Sequence, residues 1–360
     1  MASIFEKYKK FFPFLDDVEC LSLGEGNTPL VQSTSLVAGG ELFLKMEHLN
    51  PTGSFKDRFA AVETELMKQA GIKSFLATSS GNTGSALAAY SAKHGLKCFL
   101  FVNEITPESK LKQMMIYGAE VIRVKDFGIS RDLSEPIFQR LQDLAVESGT
   151  RLVISAYKYS PKGMEGVKTI AYEIVEDLGA APDQIFVPVG GGGLLSGIFR
   201  GFRDLKEQKM IERMPKINAV QPELNDTMVS ALGDDLERAN EVATTTSISG
   251  LAVQVDIDAT LAISAVRASK GRGFLVTDAD IRQTQIQLAA QEGIYVEPAG
   301  SASVAGYLKA VSTGAVGSGD RTVCILTGHG LKDTSEIGSG ADTQVKNVGI
   351  ADITQQLLHY

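Results

Sequence analysis

Residues 74–94 read Ser-Phe-Leu-Ala-Thr-Ser-Ser-Gly-Asn-Thr-Gly-Ser-Ala-Leu-Ala-Ala-Tyr-Ser-Ala-Lys-His. Phe75–Thr78 is a short apolar run of strand type, the residues from Ser79 to Gly84 are small or hydroxyl-bearing turn formers, and Thr83–His94 has a helical pattern. The same alternation continues in both directions. Downstream come the strand-like Lys97–Val102, the helical Glu108–Tyr117 and the strand-like Glu120–Val124. A helix from about Ser134 to Glu147, a strand Leu152–Ser155, a helix near Gly166–Leu178 and a strand Gln184–Val189 follow. Helical patterns over Asp278–Glu292 and Ser301–Ala310 precede a last strand, Thr322–Thr327. Strands separated by helices imply right-handed crossovers and a mainly parallel sheet, so the fold class is α/β. The near-continuous apolar runs suit a sheet covered on both faces. In open α/β sheets a ligand meets the carboxyl ends of the strands. SSGNTG (79–84), GGGG (190–193) and TGHG (327–330) all fall at such ends.

The chain has 360 residues, which suits two domains sharing a cleft. A net charge of -8 argues against nucleic acid as the main partner, because phosphate-backbone binding needs a basic surface. The three cysteines, Cys20, Cys98 and Cys324, are too scattered for a disulfide framework or a metal pattern. Cys98 and Cys324 sit in apolar runs and read as buried small hydrophobes. The first residues lack the continuous apolar stretch of a secretory leader, and no run reaches membrane-spanning length. A cytoplasmic enzyme without a membrane partner is expected.

Four segments carry chemistry. In Asn50-Pro51-Thr52-Gly53-Ser54-Phe55-Lys56-Asp57-Arg58, turn formers place a lysine at the start of a helical pattern. Desolvated in a cleft, such an amine becomes nucleophilic; in the open it is an ordinary solvated lysine. The turn from Ser79 to Gly84 opens a helix whose unpaired N–H groups suit a carboxylate, and equally suit a helix cap. Pro188-Val189-Gly190-Gly191-Gly192-Gly193-Leu194-Leu195-Ser196-Gly197 follows an apolar strand and opens a helix. Four glycines in succession are entropically costly, and they let backbone amides wrap a phosphate. No Gly-Lys-Ser/Thr follows, so this is not a Walker A loop. The fourth segment, Thr327-Gly328-His329-Gly330-Leu331-Lys332-Asp333, sets a hydroxyl at a strand end, where it can bond a ring nitrogen. His329 has no partnered nucleophile and is assigned no role.

In order, GEGNTPL (24–30), NPTGSFKDR (50–58), SSGNTG, EGVKTIAYEI (165–174), PVGGGGLLSG (188–197), EPAGSASVAG (297–306) and LTGHGLKD (326–333) resemble the fold-type II pyridoxal-phosphate enzymes. Within them the chain is most similar to the threonine synthase family, over residues 22 to 334. The resemblance implies two doubly wound α/β domains with pyridoxal 5'-phosphate in the cleft between them. A small domain of residues 57–159 would be inserted into a large one made of 1–56 and 160–360. Lys56 would carry the cofactor as a Schiff base and act as the catalytic lysine. Asn82 would bond the cofactor's 3'-oxygen, Gly190, Gly191, Gly192 and Gly193 its phosphate, and Thr327 would face its pyridine nitrogen. Ser79, Ser80 and Thr83 would seat the substrate carboxylate. A homodimer is implied, and no metal.

The chain also departs from the family. Threonine synthases read close to NPYRLEGQKT before the shared helix, where Asn and Arg take the substrate phosphate; here the arginine position is Gly163. Lys158 and Lys162 lie in the same segment and are the expected replacements. The glycine loop reads GGGGL instead of a pattern near GNGGN. That loop and EPAG resemble the serine and threonine dehydratases, while SSGNTG resembles the cysteine synthases. The implied activity is conversion of O-phosphohomoserine and water to threonine and phosphate. The alternatives are a serine/threonine ammonia-lyase or a β-replacement synthase of cysteate or cysteine synthase type. A non-catalytic protein of this fold is disfavoured by the intact Lys56, Asn82 and glycine loop.

Overall fold

The computed structural model describes residues 2–333 except 17–18, 37–39, 80, 105, 107 and 128–130. Its strands, in chain order, are β1 (Leu30–Gln32), β2 (Glu41–Lys45), β3 (Ser74–Thr78), β4 (Lys97–Asn103) and β5 (Glu120–Val124). They continue with β6 (Leu152–Val153), β7 (Gln184–Pro188), β8 (Lys216–Pro222), β9 (Gly273–Val276) and β10 (Arg321–Ile325). They form a six-stranded sheet in the order β1-β2-β10-β7-β8-β9 and a four-stranded sheet in the order β5-β4-β3-β6. β1 runs antiparallel to β2, and each of the other named pairings is parallel. The parallel α/β fold expected from the alternation is thus observed.

The six-stranded sheet is buried on both faces, as its apolar runs require. Side chains alternate along a strand, so neighbours serve opposite layers. On β7, Ile185 and Val187 join one core while Phe186 joins the other; along and just past β10, Val323 and Ile325 oppose Cys324 and Leu326. Helices Asp278–Glu292 and Pro298–Ser312 contribute to one layer, and Thr169–Leu178, Gly193–Glu207 and Ala259–Ala268 to the other. Cys98 and Cys324 are buried as expected. In the four-stranded sheet, β4 alternates instead, with Cys98, Leu100 and Val102 buried and their neighbours partly open.

Two strand ends differ from the sequence expectation, and both matter for the site. The run Leu152–Ser155 pairs only through Val153, which releases Ser155 from the sheet. The run Thr322–Thr327 stops pairing at Ile325, which leaves Leu326 and Thr327 beyond the strand. The helix after SSGNTG spans Asn82–His94 and ends at Gly95, whose φ of 67° is the left-handed C-terminal stop that glycine accepts. Among the described residues no helix is long and apolar enough to cross a membrane.

A buried charge network anchors helix Lys56–Gln69. Arg58 lies between two carboxylates: its Nε and Nη2 donate to Glu47 at 2.7 Å, and its Nη1 and Nη2 donate to Glu173 at 2.7 Å. Lys45 pairs with Glu173 at 2.9 Å. The GEGNTP segment closes over the network, with Asn27 N donating to Glu173 at 2.8 Å and Gly26 N to Asn50 Oδ1 at 2.9 Å. Bidentate guanidinium–carboxylate pairs are directional as well as strong. They fix the start of this helix, and with it Lys56.

Candidate active site

The carboxyl ends of strands from both sheets converge on one cleft of about 1300 Å³. Thr78 ends β3 and Ser79 follows it, Asn103 and Thr106 lie at the end of β4, the glycine loop follows β7, and Thr327 follows β10. Lys56, Asn82 and Thr83 also line it, so all four of the segments singled out in the sequence meet in one place. Among the described residues there is no cluster suited to a metal ion.

Lys56 is the first residue of its helix and projects into the cleft. Its Nζ donates to Ser155 Oγ at 2.7 Å, and Ser155 Oγ lies 2.8 Å from Thr83 Oγ1. The Phe55 ring lies 4.8 Å from Nζ. Desolvation disfavours the ammonium form and lowers its pKa from 10.5 to about 8, although Asp258 and Glu297 oppose this through space. The amine rests on hydroxyls and not on a carboxylate, which keeps it close to the neutral, nucleophilic form.

The glycine loop is a turn that side chains would close. Gly192 has φ of 92°, and a Cβ there would lie 2.5 Å from Asp258 O and 2.8 Å from Ala259 N. The carbonyls of Gly191 and Gly192 are bonded within the protein, to Asp258 N at 2.8 Å and Ser196 N at 3.1 Å. No side chain caps helix Gly193–Glu207. The loop's amides and the helix dipole are therefore available to an anion. A phosphorylated aldehyde suits this donor set, with an amine on one wall and a phosphate cradle on the other.

Asn82 and Thr327 meet at Glu297. Asn82 Nδ2 lies 3.0 Å from each oxygen of the Glu297 carboxylate, and Thr327 Oγ1 donates to Glu297 Oε1 at 3.4 Å. Glu297 is buried, and burial raises its pKa. Thr327 is also tied to the lysine segment, because Phe55 N donates to Thr327 O at 3.0 Å.

The expected carboxylate seat divides. Thr83 faces Lys56 through Ser155. Ser79 lines the cleft, but its Oγ accepts from Gly81 N at 3.3 Å and Gly84 N at 3.1 Å, holding the turn together. Ser80 lies outside the described residues.

The expected phosphate lysines are not brought to the cleft. Lys158 and Lys162 are exposed, with their Nζ atoms 5.5 Å from the Tyr159 ring and 5.7 Å from the Phe14 ring. The arginine position is closed as well, because a Cβ at Gly163 would meet the buried Glu63 carboxylate and lie 2.9 Å from the Phe59 ring. Among the described residues, the cleft's other lysines are Lys112 and Lys332. Lys332 Nζ donates to Thr52 O at 2.9 Å and to Gln113 Oε1 at 2.6 Å.

Sequence reasoning missed Ser155, Glu297 and Asp258. Glu297 stands in a motif singled out above, but the motif does not say which side chain turns inward. Asp258 lies in no recognised pattern; its carboxylate accepts from Tyr157 N at 2.7 Å and Lys158 N at 3.1 Å, tying the segment after β6 to the glycine loop. His329 has a local role: its Nδ1 accepts from Leu331 N at 3.1 Å.

Comparison with known proteins places the chain in a family. The family model described as pyridoxal-phosphate dependent enzyme matches residues 21–328. The threonine synthase of Methanocaldococcus jannaschii is 35% identical over 350 residues, covering 94% of this chain and 83% of that protein. The threonine synthase of Halalkalibacterium halodurans is 34% identical over 343 residues, covering 94% and 92%. Among solved structures, serine racemase from Dictyostelium discoideum superposes with a TM-score of 0.69 at 25% identity, covering 85% of this chain and 92% of that one.

Proposed function

The chain belongs to the pyridoxal-phosphate-dependent enzyme family, and from that premise we propose that it acts as a threonine synthase, converting O-phosphohomoserine and water to threonine and phosphate. The observation that carries this reading is the 35% identity to a threonine synthase across 94% of the chain. The position of Lys56 in the cleft supports it. The fold is that of the fold-type II enzymes. In this reading residues 57–159 act as a small domain against the rest of the chain. The enzyme works in the cytoplasm as a homodimer, on a small amino-acid substrate and without nucleic acid.

Pyridoxal phosphate, when bound, supplies an aldehyde that captures the substrate amine and a conjugated ring that spreads negative charge from Cα. Gly190, Gly191, Gly192 and Gly193 would hold its phosphate, and Asn82 and Thr327 would bind its ring's oxygen substituent and its ring nitrogen. Lys56 moves protons at Cα and Cβ of the substrate; a pKa of about 8 lets it accept and return a proton near neutral pH. Ser155 orients the Lys56 amine through their 2.7 Å hydrogen bond. Thr83 and the helix start at Asn82 seat the substrate carboxylate. Phosphate leaves from Cγ, which takes up a proton in place of the one lost from Cβ and becomes the methyl group, and the oxygen of water enters at Cβ.

Charge builds on the departing phosphate, so a cation must meet it. With Gly163 closed off and Lys158 and Lys162 turned outward, Lys112 and Lys332 are the candidates within the cleft. Lys332→Ala is expected to cost about 1.5–3 kcal/mol in kcat/KM for O-phosphohomoserine, as for a lost charge-assisted hydrogen bond. Lys158→Ala and Lys162→Ala should stay within roughly 0.5 kcal/mol of wild type, as ordinary surface changes do. The reverse ranking in steady-state kinetics would return the phosphate site to the 158–162 segment.

The closed arginine position also favours a second reading, an ammonia-lyase acting on serine or threonine. Four substrates decide between them: O-phosphohomoserine, O-phosphoserine, serine and threonine, with phosphate and ammonia both measured. A threonine synthase releases phosphate from O-phosphohomoserine in step with threonine. Faster ammonia release from serine or threonine would replace that reading with the ammonia-lyase.

A further inference from the structure

The Glu297 carboxylate is buried at the base of the cleft, and its hydrogen-bond partners are neutral. It lies against the Gly328 backbone, where an added Cβ would collide with it, and its own N–H donates to Gly328 O at 2.8 Å. Those neutral partners are the two groups assigned to the cofactor ring, Asn82 and Thr327. On a pyridoxal ring the nitrogen and the hydroxyl-bearing carbon flank a single carbon. One carboxyl group that reaches both Thr327 and Asn82 therefore belongs along that edge.

We propose that Glu297 and Thr327 form a two-member proton relay to the cofactor's ring nitrogen, so that one proton is shared between the Glu297 carboxyl and that nitrogen. The proposal rests on the reading above that Thr327 faces the nitrogen. Thr327 has one hydroxyl hydrogen. Thr327 Oγ1 lies 3.4 Å from Glu297 Oε1, and toward an ionised carboxylate the hydroxyl gives its hydrogen, which leaves a lone pair for the ring. A lone pair can only accept, so this arrangement goes with a protonated ring nitrogen and an ionised Glu297. In the other arrangement Glu297 holds the proton and donates it to Thr327 Oγ1, and the Thr327 hydrogen turns to an unprotonated nitrogen. The interconversion moves one proton from carboxyl to threonine and one from threonine to nitrogen. No charge or atom is gained.

The surroundings pull the Glu297 proton in both directions. Burial and the nearby Asp333 favour the protonated carboxyl. The Asn82 amide, Lys332 and the Thr327 hydroxyl favour the carboxylate. Lys56 interacts with Glu297 through space as well. The amide of Asn82 spends one N–H on Glu297 and has a second for the ring's oxygen substituent. A ring that gains and loses its proton is an adjustable electron sink, which suits a reaction that removes protons from two adjacent carbons.

The test is the nitrogen-15 resonance of holoenzyme carrying cofactor labelled at the ring nitrogen, followed against temperature. A shared proton places the wild-type resonance between the protonated and unprotonated limits and moves it with temperature as the two arrangements exchange population. Glu297→Gln, which has no carboxyl proton to give, should hold the resonance at the unprotonated limit, and so should Thr327→Val. Thr327→Ser should behave like wild type; if Glu297→Gln does not fold, the Val and Ser variants carry the test. If Thr327→Val displaces the resonance and Glu297→Gln leaves it at the wild-type position, the relay is wrong. If Thr327→Val leaves the resonance at the wild-type position at every temperature, Thr327 does not face the nitrogen and the underlying site reading fails. If Thr327→Ser also loses the wild-type behaviour, the relay is overturned.

Discussion

Lys56→Ala is expected to lower kcat with O-phosphohomoserine by at least about a thousandfold, the scale of losing a residue that both bonds the cofactor and moves protons. The fold should survive, because the Arg58 network that anchors this helix does not include the Lys56 side chain. The lost bond is the one to Ser155. Borohydride reduction of the wild-type holoenzyme should fix the cofactor to Lys56 in peptide maps; a label on another lysine would sink the assignment. The depressed pKa has its own signature in cofactor-free protein. Lys56 holds its proton up to about pH 8, whereas an ordinary lysine holds it up to 10.5. Acylation of this residue by an amine reagent should therefore rise with a midpoint near pH 8. Between those two values the unfolded chain binds the proton and the folded chain does not. This group thus makes stability rise with pH across that window and contributes a penalty below it. A midpoint near the ordinary lysine value would mean that the cleft does not desolvate the amine.

Gly192→Val should strip the enzyme of cofactor. A left-handed φ of 92° strains any β-branched residue, and the new Cβ would strike the Asp258 backbone at 2.5 Å. The strain alone costs roughly 1–3 kcal/mol. The larger effect falls on the ligand, because relief of the clash moves the turn whose amides are proposed to hold the phosphate. Loss of two such bonds, at roughly 1.5–3 kcal/mol each, weakens cofactor retention by at least about a hundredfold. Gly71→Val is the control: Gly71 has a φ of 71°, and a Cβ added there would meet nothing within 4 Å. That variant should lose stability and keep cofactor affinity. Calorimetry of the cofactor-free proteins, together with spectroscopic cofactor titration, separates the two effects. If Gly192→Val lost stability and affinity in the same proportion as Gly71→Val, the glycine loop would be only a structural turn.

The parallel α/β fold was legible because its central strands are apolar on both faces and end in small-residue turns. β7 shows this best, with all five residues buried. β2 and β8 were missed for the opposite reason. β8 carries Asn218 and Gln221 in its interior, each buried and bonded, to Gln184 at 3.0 Å and Thr227 at 2.8 Å. β2 ends in the buried Lys45, paired with Glu173. Polar residues satisfied in a core look like surface residues in a sequence. Lys56, Asn82, Thr83, the glycine loop and Thr327 were legible as a group that lines one cleft, because each stands beside a strand end or a helix start. Ser155 was not, since the apolar run before it reads as strand through its position. Lys158 and Lys162 were chosen by charge and segment alone, and neither reveals the direction of a side chain. The Asp258 carboxylate bonds the backbone of the same segment and sets its path.

The most direct measurement of the central claim is turnover of O-phosphohomoserine in water enriched in oxygen-18. The account predicts that the threonine formed carries the heavy oxygen in its hydroxyl group while the phosphate released carries none, because the Cγ–O bond breaks and water adds at Cβ. Heavy oxygen in the phosphate with homoserine as product, or a keto acid and ammonia in place of threonine, would contradict it.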